Sequence, residues 1–198
     1  MTDKDTKGKI LKIAHELFSQ KGYDGVSVRE ISSAAGVNIS AISYHFENKE
    51  KLFQETIRSS MTEMSNTVKE LREALGKSST SELSLTIYDY FIKNSENLKL
   101  SFKMFVIDAH IFPHDAGQED DFIGPPGGKV IFDCIMEECP NAKEDDVIWA
   151  VRTIFTQVVH KALLMSSHCV NHNACKNMSV EDTRSHIARV VRVVLNDL

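Results

Sequence analysis

Apolar residues recur at helical spacing along the whole chain, and no stretch alternates long enough to predict a strand. Near the N-terminus, the i, i+4, i+7, i+8 spacing of one buried helix face is seen in Ile10, Ala14, Leu17 and Phe18. The chain has 198 residues, 42% of them hydrophobic, which is enough to bury a core in one or two domains. The pattern therefore predicts an all-α fold.

Glycine and capping residues divide this pattern into short helices near the N-terminus and longer ones after them. A helix over residues 28–35 is predicted by the Ser27-x-x-Glu30 capping box and by Gly36 at its end. Asn38 is expected to cap a third helix, and Asn48 a fourth that runs to about Leu75. We expect a small domain over residues 1–52 and a larger helical domain over residues 53–198.

Charge and composition bear on whether the chain can contact DNA and on the cellular compartment in which it is expected. Residues 1–52 carry eight basic and seven acidic side chains, while residues 53–198 carry fifteen and twenty-one, so the acidic excess lies in the later part. A face that contacts DNA remains possible in the first part. The N-terminus is polar, the apolar runs are too short to span a bilayer, and the four cysteines show no disulfide spacing. A soluble, cytoplasmic protein without a membrane span is expected.

Residues 27–49 fit the description of a helix-turn-helix, which is two short helices joined by a tight turn that contains glycine. Ser32 is small where the two helices cross, and Gly36 can adopt the positive φ that the turn needs. Val37 and Ile42 are apolar where the second helix packs on the first. The outward positions of that second helix are Ile39, Ser40, Ser43 and Tyr44. A short helix with such a face suits the major groove.

Residues 7–53 resemble the N-terminal domain of the tetracycline-repressor-like (TetR) family of bacterial transcription regulators. The matching blocks, in chain order, are Ile10…Ala14…Leu17-Phe18…Lys21-Gly22-Tyr23, Ser27-Val28-Arg29-Glu30-Ile31, Gly36-Val37-Asn38 and Tyr44-His45-Phe46-Glu47-Asn48-Lys49-Glu50-Lys51-Leu52. Many family members carry Tyr at the position of Ser43 and Gly or Pro at that of Ser40. The operator preference of the best-known members therefore does not transfer to this chain.

The resemblance implies a role in DNA binding for several side chains. Arg29 occupies a position that contacts bases or phosphates, with a solvated surface residue as the alternative. Ser27, His45 and Lys49 match positions that contact phosphates, although His45 is equally consistent with capping or packing. The candidate DNA-binding residues are Ser27, Arg29, Asn38, Ile39, Ser40, Ser43, Tyr44, His45 and Lys49.

Beyond residue 53 the resemblance is to an architecture, in which helices bind a small effector and the last two helices form a homodimer. Two apolar stripes are candidates for that interface: Val147, Val151, Ile154, Phe155, Val158 and Ala162 in the penultimate helix, and Ile187, Val190, Val191, Val194 and Leu195 in the last. The alternative is that both stripes face the chain's own core. Candidates for an effector pocket, any of which could instead be core residues, are Phe102, Phe105, His110, Trp149, Phe155 and His160.

The sequence therefore predicts a DNA-binding transcription regulator, a repressor released from a pseudo-palindromic operator by a small molecule. The alternative is a metal-responsive sensor of the same fold, with the N/S ligands His168, Cys169, His172 and Cys175. Because these four residues are irregularly spaced in a polar segment, we expect that they do not form a metal site, and we expect no cofactor. No glycine-rich phosphate loop, nucleophile elbow or H-E-x-x-H helix indicates an enzyme.

Overall fold

The computed structural model describes residues 3–107, 124–167 and 179–198, which form nine α-helices and no strand. In chain order these are α1 (Asp3–Lys21), α2 (Val28–Ala35), α3 (Ile39–Phe46), α4 (Lys49–Leu75), α5 (Thr80–Lys93), α6 (Ser95–Ile107), α7 (Gly128–Glu138), α8 (Glu144–Met165) and α9 (Val180–Asn196). The predicted all-α fold is confirmed for this part of the chain.

Side-chain caps fix where several helices begin. The Glu30 N–H donates to Ser27 Oγ at 3.1 Å before α2, and the Lys51 N–H donates to Asn48 Oδ1 at 2.8 Å at the start of α4, as predicted. Asn38 is the N-cap residue of α3, as predicted, but its side chain makes no capping hydrogen bond. Two capping boxes that were not predicted begin α5 and α9, at Ser79 with Glu82 and at Ser179 with Asp182.

The contacts divide the chain into two compact units. The N-terminal unit comprises Met1–Glu63 and Lys99–Ala116, and the C-terminal unit comprises Met64–Leu98 and Gly117–Leu198. The predicted division after residue 52 falls inside α4, whereas these units divide further along α4 and again within α6. The buried core of the N-terminal unit consists of Ile10, Ala14, Phe18, Val26, Ile31, Ala35, Ile42, Phe46, Leu52, Phe53, Ile57 and Met104. Because Met104 lies on α6, this unit is built from two separate segments of sequence.

In the C-terminal unit, α8 packs against α5, α7 and α9. The apolar stripes predicted for a dimer interface are mostly in the core of this unit. Val147, Val151, Ile154, Val158 and Ala162 of α8 are buried there, as are Ile187 and Val191 of α9. The assignment of these residues to an intersubunit surface is therefore wrong, because α5 and α7 already cover the apolar side of α8. The outward side of the two helices instead carries Trp149, 65% exposed, and Val193, 61% exposed.

Among the described residues, α8 alone is long and apolar enough to cross a membrane when judged by length and composition. The core helix of a soluble protein passes the same test, and seven residues of α8 are buried in the unit that contains it.

The turn before α7 lies directly against α4 within the C-terminal unit. Gly127 adopts a positive φ of 77°, and its N–H donates to Ser65 Oγ at 3.0 Å. The side chain of Val68, which is fully buried, occupies the space beside the Gly127 Cα. A residue with a side chain does not fit at position 127 without movement of α4 or of the turn.

Candidate nucleic-acid interface

The turn between α2 and α3 has the geometry that the sequence predicted. Gly36 lies in the left-handed region at φ 62° and ψ 39°, and its N–H donates to Ser33 O at 3.1 Å. The Val37 N–H donates to Ser32 O at 3.0 Å, which completes the glycine-terminated end of α2. Ser32 is buried, and its hydroxyl donates to Arg29 O at 2.9 Å. These bonds fix the direction in which α3 leaves the turn.

Helix α3 presents one buried and one exposed face. Ile42 and Phe46 are almost completely buried in the core of the N-terminal unit. The opposite face is exposed and contains Ile39, Ser40, Ser43 and Tyr44, with Tyr44 77% exposed. Two hydroxyl-bearing serines and a protruding tyrosine can donate and accept hydrogen bonds at base edges. One face of α3 is therefore fixed by the core of the N-terminal unit, and the opposite face is accessible to a partner.

Other predicted contact residues lie at the ends of neighbouring helices. Ser27 and Arg29 are exposed at the start of α2, and Asn38 is exposed immediately before α3. Lys49 is the first residue of α4, and its Nζ lies 4.2 Å from the centroid of the Tyr23 ring. No local sequence pattern predicts this contact, because it connects a turn residue with a side chain on a different helix.

His45 differs from the other candidates because its side chain is only 8% exposed. Its ring lies beside those of Tyr44 and Phe46, with centroids 5.1 and 5.9 Å away. Its Nε2 is 3.6 Å from Asp3 Oδ1. This placement favours the packing role over the phosphate contact, and the contact itself stays a prediction.

Those predicted effector residues that the structure describes, Phe102, Trp149, Phe155 and His160, are not together in one buried place. Phe102 is 42% exposed on α6, and Trp149 and His160 are exposed on α8. Of these four residues, Phe155 packs on a core, where its ring centroid is 6.4 Å from that of Phe91. The Phe105 side chain and the whole of His110 lie outside the described residues.

The alternative metal ligands His168, Cys169, His172 and Cys175 also lie outside the described residues. Within residues 3–107, 124–167 and 179–198, no three His, Cys, Asp or Glu side chains are grouped as a metal site would need.

Comparison with known proteins gives matches concentrated at the N-terminus. Residues 10–56 match the family model described as bacterial regulatory proteins, tetR family. The HTH-type transcriptional regulator YttP of Bacillus subtilis is 38% identical over 82 residues, which cover 41% of this chain and 40% of YttP. The HTH-type transcriptional repressor AcnR of Corynebacterium efficiens is 38% identical over 66 residues, covering 33% and 35% of the two chains. The chain thus spans less than half the length of these relatives, and both are named as regulators rather than enzymes.

Solved structures extend the similarity in fold to the whole chain. A protein from Mesorhizobium loti assigned to the TetR family covers 100% of this chain and 98% of its own, with a TM-score of 0.71 and 20% identity. A tetR-family transcriptional regulator from Streptomyces coelicolor covers 98% of this chain and 80% of its own, with a TM-score of 0.65 and 14% identity. At these identities the comparison establishes the architecture of an N-terminal helix-turn-helix domain followed by a helical domain.

Proposed function

From the membership of residues 10–56 in the tetR family of bacterial regulatory proteins, we propose that the chain is a DNA-binding transcription regulator. One observation carries this proposal: α3 is anchored by Ile42 and Phe46 and exposes Ser40, Ser43 and Tyr44 on the other side. An α-helix exposed in this way fits the major groove, which is about 12 Å wide. A protein that regulates bacterial genes in this manner works in the cytoplasm.

In this proposal, some residues on and around α3 contact base edges and others contact phosphates. The α3 face and Arg29 read base edges, since an arginine can donate two hydrogen bonds to one guanine. Ser27 and Lys49 contact the phosphates on either side and set the position of α3 in the groove. The N-terminus of α4, where Lys49 lies, also directs free N–H groups outward, and these favour an anion.

The regulator acts as a homodimer, because a two-fold pair of reading helices matches a pseudo-palindromic operator. The outward face of α8 supports this part of the proposal. It forms one exposed stripe that consists of Trp149, Arg152, Thr153, Thr156 and His160. Together with the exposed Val193 on α9, it gives the last two helices a surface that their own core does not cover. The two α3 helices would lie about 34 Å apart, or a multiple of that.

A small effector bound in the C-terminal unit would release the operator. In the core of this unit, the buried Tyr88 hydroxyl has the Thr183 hydroxyl beside it, but at a geometry too poor for a normal hydrogen bond, and no other partner among the described residues. Burial raises the pKa of Tyr88, and the neighbouring Thr183 hydroxyl offsets this in part. Buried hydroxyls normally have partners, so a ligand that hydrogen bonds there would remove an unfavourable state.

Helix α4 provides the route from effector to operator. It begins at Lys49 and continues to Leu75 without a break, and its residues enter the cores of both units. A helix of 27 residues is about 40 Å long, so a small tilt at one end becomes a larger displacement at the other. In a dimer such a tilt changes the spacing of the reading helices. The coupling must be reciprocal, so operator must weaken effector binding by the same factor.

The DNA-binding proposal is tested by selecting duplexes from a random library with the full-length protein. We expect a pseudo-palindromic sequence. Arg29→Ala should lose about 1–3 kcal/mol of discrimination at one base position in each half-site. Lys49→Ala should weaken binding to all sequences alike and flatten the salt dependence.

Lys69→Ala is the matched control, because Lys69 is an exposed lysine on the same helix but in the C-terminal unit. It should leave operator affinity nearly unchanged. Recovery of no duplex, or equal losses in the Lys49 and Lys69 variants, would contradict the proposed interface.

A further inference from the structure

The side chain of Lys49 is held by an aromatic ring. Its Nζ lies over the face of Tyr23, 4.2 Å from the ring centroid. Tyr23 follows Gly22 in the turn between α1 and α2, so the contact joins this turn to the first residue of α4. The negative face of an aromatic ring attracts a cation at this distance.

The Tyr23 ring is itself fixed by the core of the N-terminal unit. It stacks on Phe18 with centroids 6.1 Å apart, and it meets Phe53 in an edge-on arrangement at 5.2 Å. Phe18 and Phe53 are fully buried and also contact each other, with centroids 4.9 Å apart. Because protein cores are close-packed, a ring in such a cluster has few alternative positions. The ring is therefore a rigid support for a long, flexible side chain.

This support leaves the charge of Lys49 intact. Lys21 in the same unit is instead paired with the Glu30 carboxylate. Among the described residues, no carboxylate forms a salt bridge with Lys49. Burial, with the Glu50 and Asp24 carboxylates, raises the pKa of Tyr23, so its phenol is neutral at neutral pH. A carboxylate would fix the lysine equally well but would repel a phosphate, whereas a neutral ring does not.

We propose that Tyr23 is a positioning residue for DNA binding, whose ring holds the Lys49 ammonium at the start of α4 for contact with a backbone phosphate. This inference rests on the proposed function. A side chain already held in place loses less conformational freedom when it binds, so affinity rises without a new contact. Fixing one long side chain in advance corresponds to about a threefold change in affinity for each subunit. For two subunits on one operator the expected effect is about tenfold.

The test is a double-mutant cycle in the full-length protein, with a duplex recovered by the wild type from a random library as the probe. Tyr23→Leu should weaken binding about tenfold when Lys49 is present. In the Lys49→Met background the same change should weaken it less than twofold. Tyr23→Phe, which keeps the ring, should bind within twofold of wild type. A merely structural role for Tyr23 predicts equal losses in both backgrounds, and that result would overturn the inference.

A second measurement does not depend on the leucine variant folding. In the free protein the ring current of Tyr23 should shift the NMR signals of the Lys49 ε-methylene protons upfield relative to those of Lys51, and Tyr23→Phe should keep the shift. Absence of the shift would overturn the inference.

A wild-type protein that binds DNA but shows no coupling in the cycle refutes the role of Tyr23 alone. A wild type that recovers no duplex refutes the proposed function as well.

Discussion

Replacing Gly127 by alanine tests how closely the turn before α7 packs against α4. A Cβ at this position would lie 2.7 Å from both Cβ and Cγ2 of Val68, and 2.9 Å from Cγ1. Valine is branched at Cβ and stiff about χ1, so its side chain cannot rotate away easily. The backbone of α4 or of the turn must move instead.

Two effects contribute to the expected loss of stability. An alanine at the positive φ of Gly127 costs about 1–2 kcal/mol. Overpacking against a buried side chain costs about 1–3 kcal/mol more. Gly76→Ala separates the two effects, because Gly76 has a similar φ of 66° and open space around it. We therefore expect a loss of about 3 kcal/mol in the free energy of unfolding for Gly127→Ala, and about 1 kcal/mol for Gly76→Ala.

Urea denaturation followed by far-UV circular dichroism measures both values. The double-mutant cycle with Val68→Ala locates the clash, since removing the two valine methyl groups should lower the cost of Gly127→Ala in part, while the Cβ of residue 68, 2.7 Å away, retains the rest. Equal losses for the two single glycine variants would refute the reasoning. So would a cost of Gly127→Ala that does not change in the Val68→Ala background.

Three further predictions concern other parts of the chain. Ser79→Ala should lower the free energy of unfolding by about 1 kcal/mol, because it removes a helix cap. Hydrogen bonds from the Ser79 backbone and side chain lower the pKa of Glu82, and the stability that they contribute is lost as pH falls through that pKa. Denaturation at several pH values should therefore show less acid sensitivity in this variant. Burial lowers the pKa of His15, so the wild type should lose stability as pH falls below the ordinary histidine value, and His15→Gln should flatten that dependence. Trp149→Glu should give a monomer in sedimentation velocity and abolish operator binding, while Trp149→Phe should do neither.

Local features of the sequence predicted local structure well. The helix-turn-helix followed from Ser27, Gly36 and the spacing of apolar residues, because caps and glycine conformations depend on nearby residues. The resemblance to the TetR family is confirmed over residues 10–56. The stripe on α8 was predicted to form an intersubunit interface, but it lies in the core of its own unit, because periodicity does not say which partner covers a face. The contribution of Met104 to the N-terminal core arises from tertiary packing that no local pattern encodes.

That contribution of α6 determines how this protein can be divided or recombined. A fragment ending at Glu63 would lack Met104, the Lys103 ammonium that donates to Gln20 O at 2.7 Å, and the Ser101 hydroxyl that lies 3.3 Å from that of Ser60. Chimeras joined at residue 52 would also remove Phe53 and Ile57 from the same core. A transplantable DNA-binding module must therefore carry two stretches of the chain, which are separated in sequence by the end of α4 and the whole of α5.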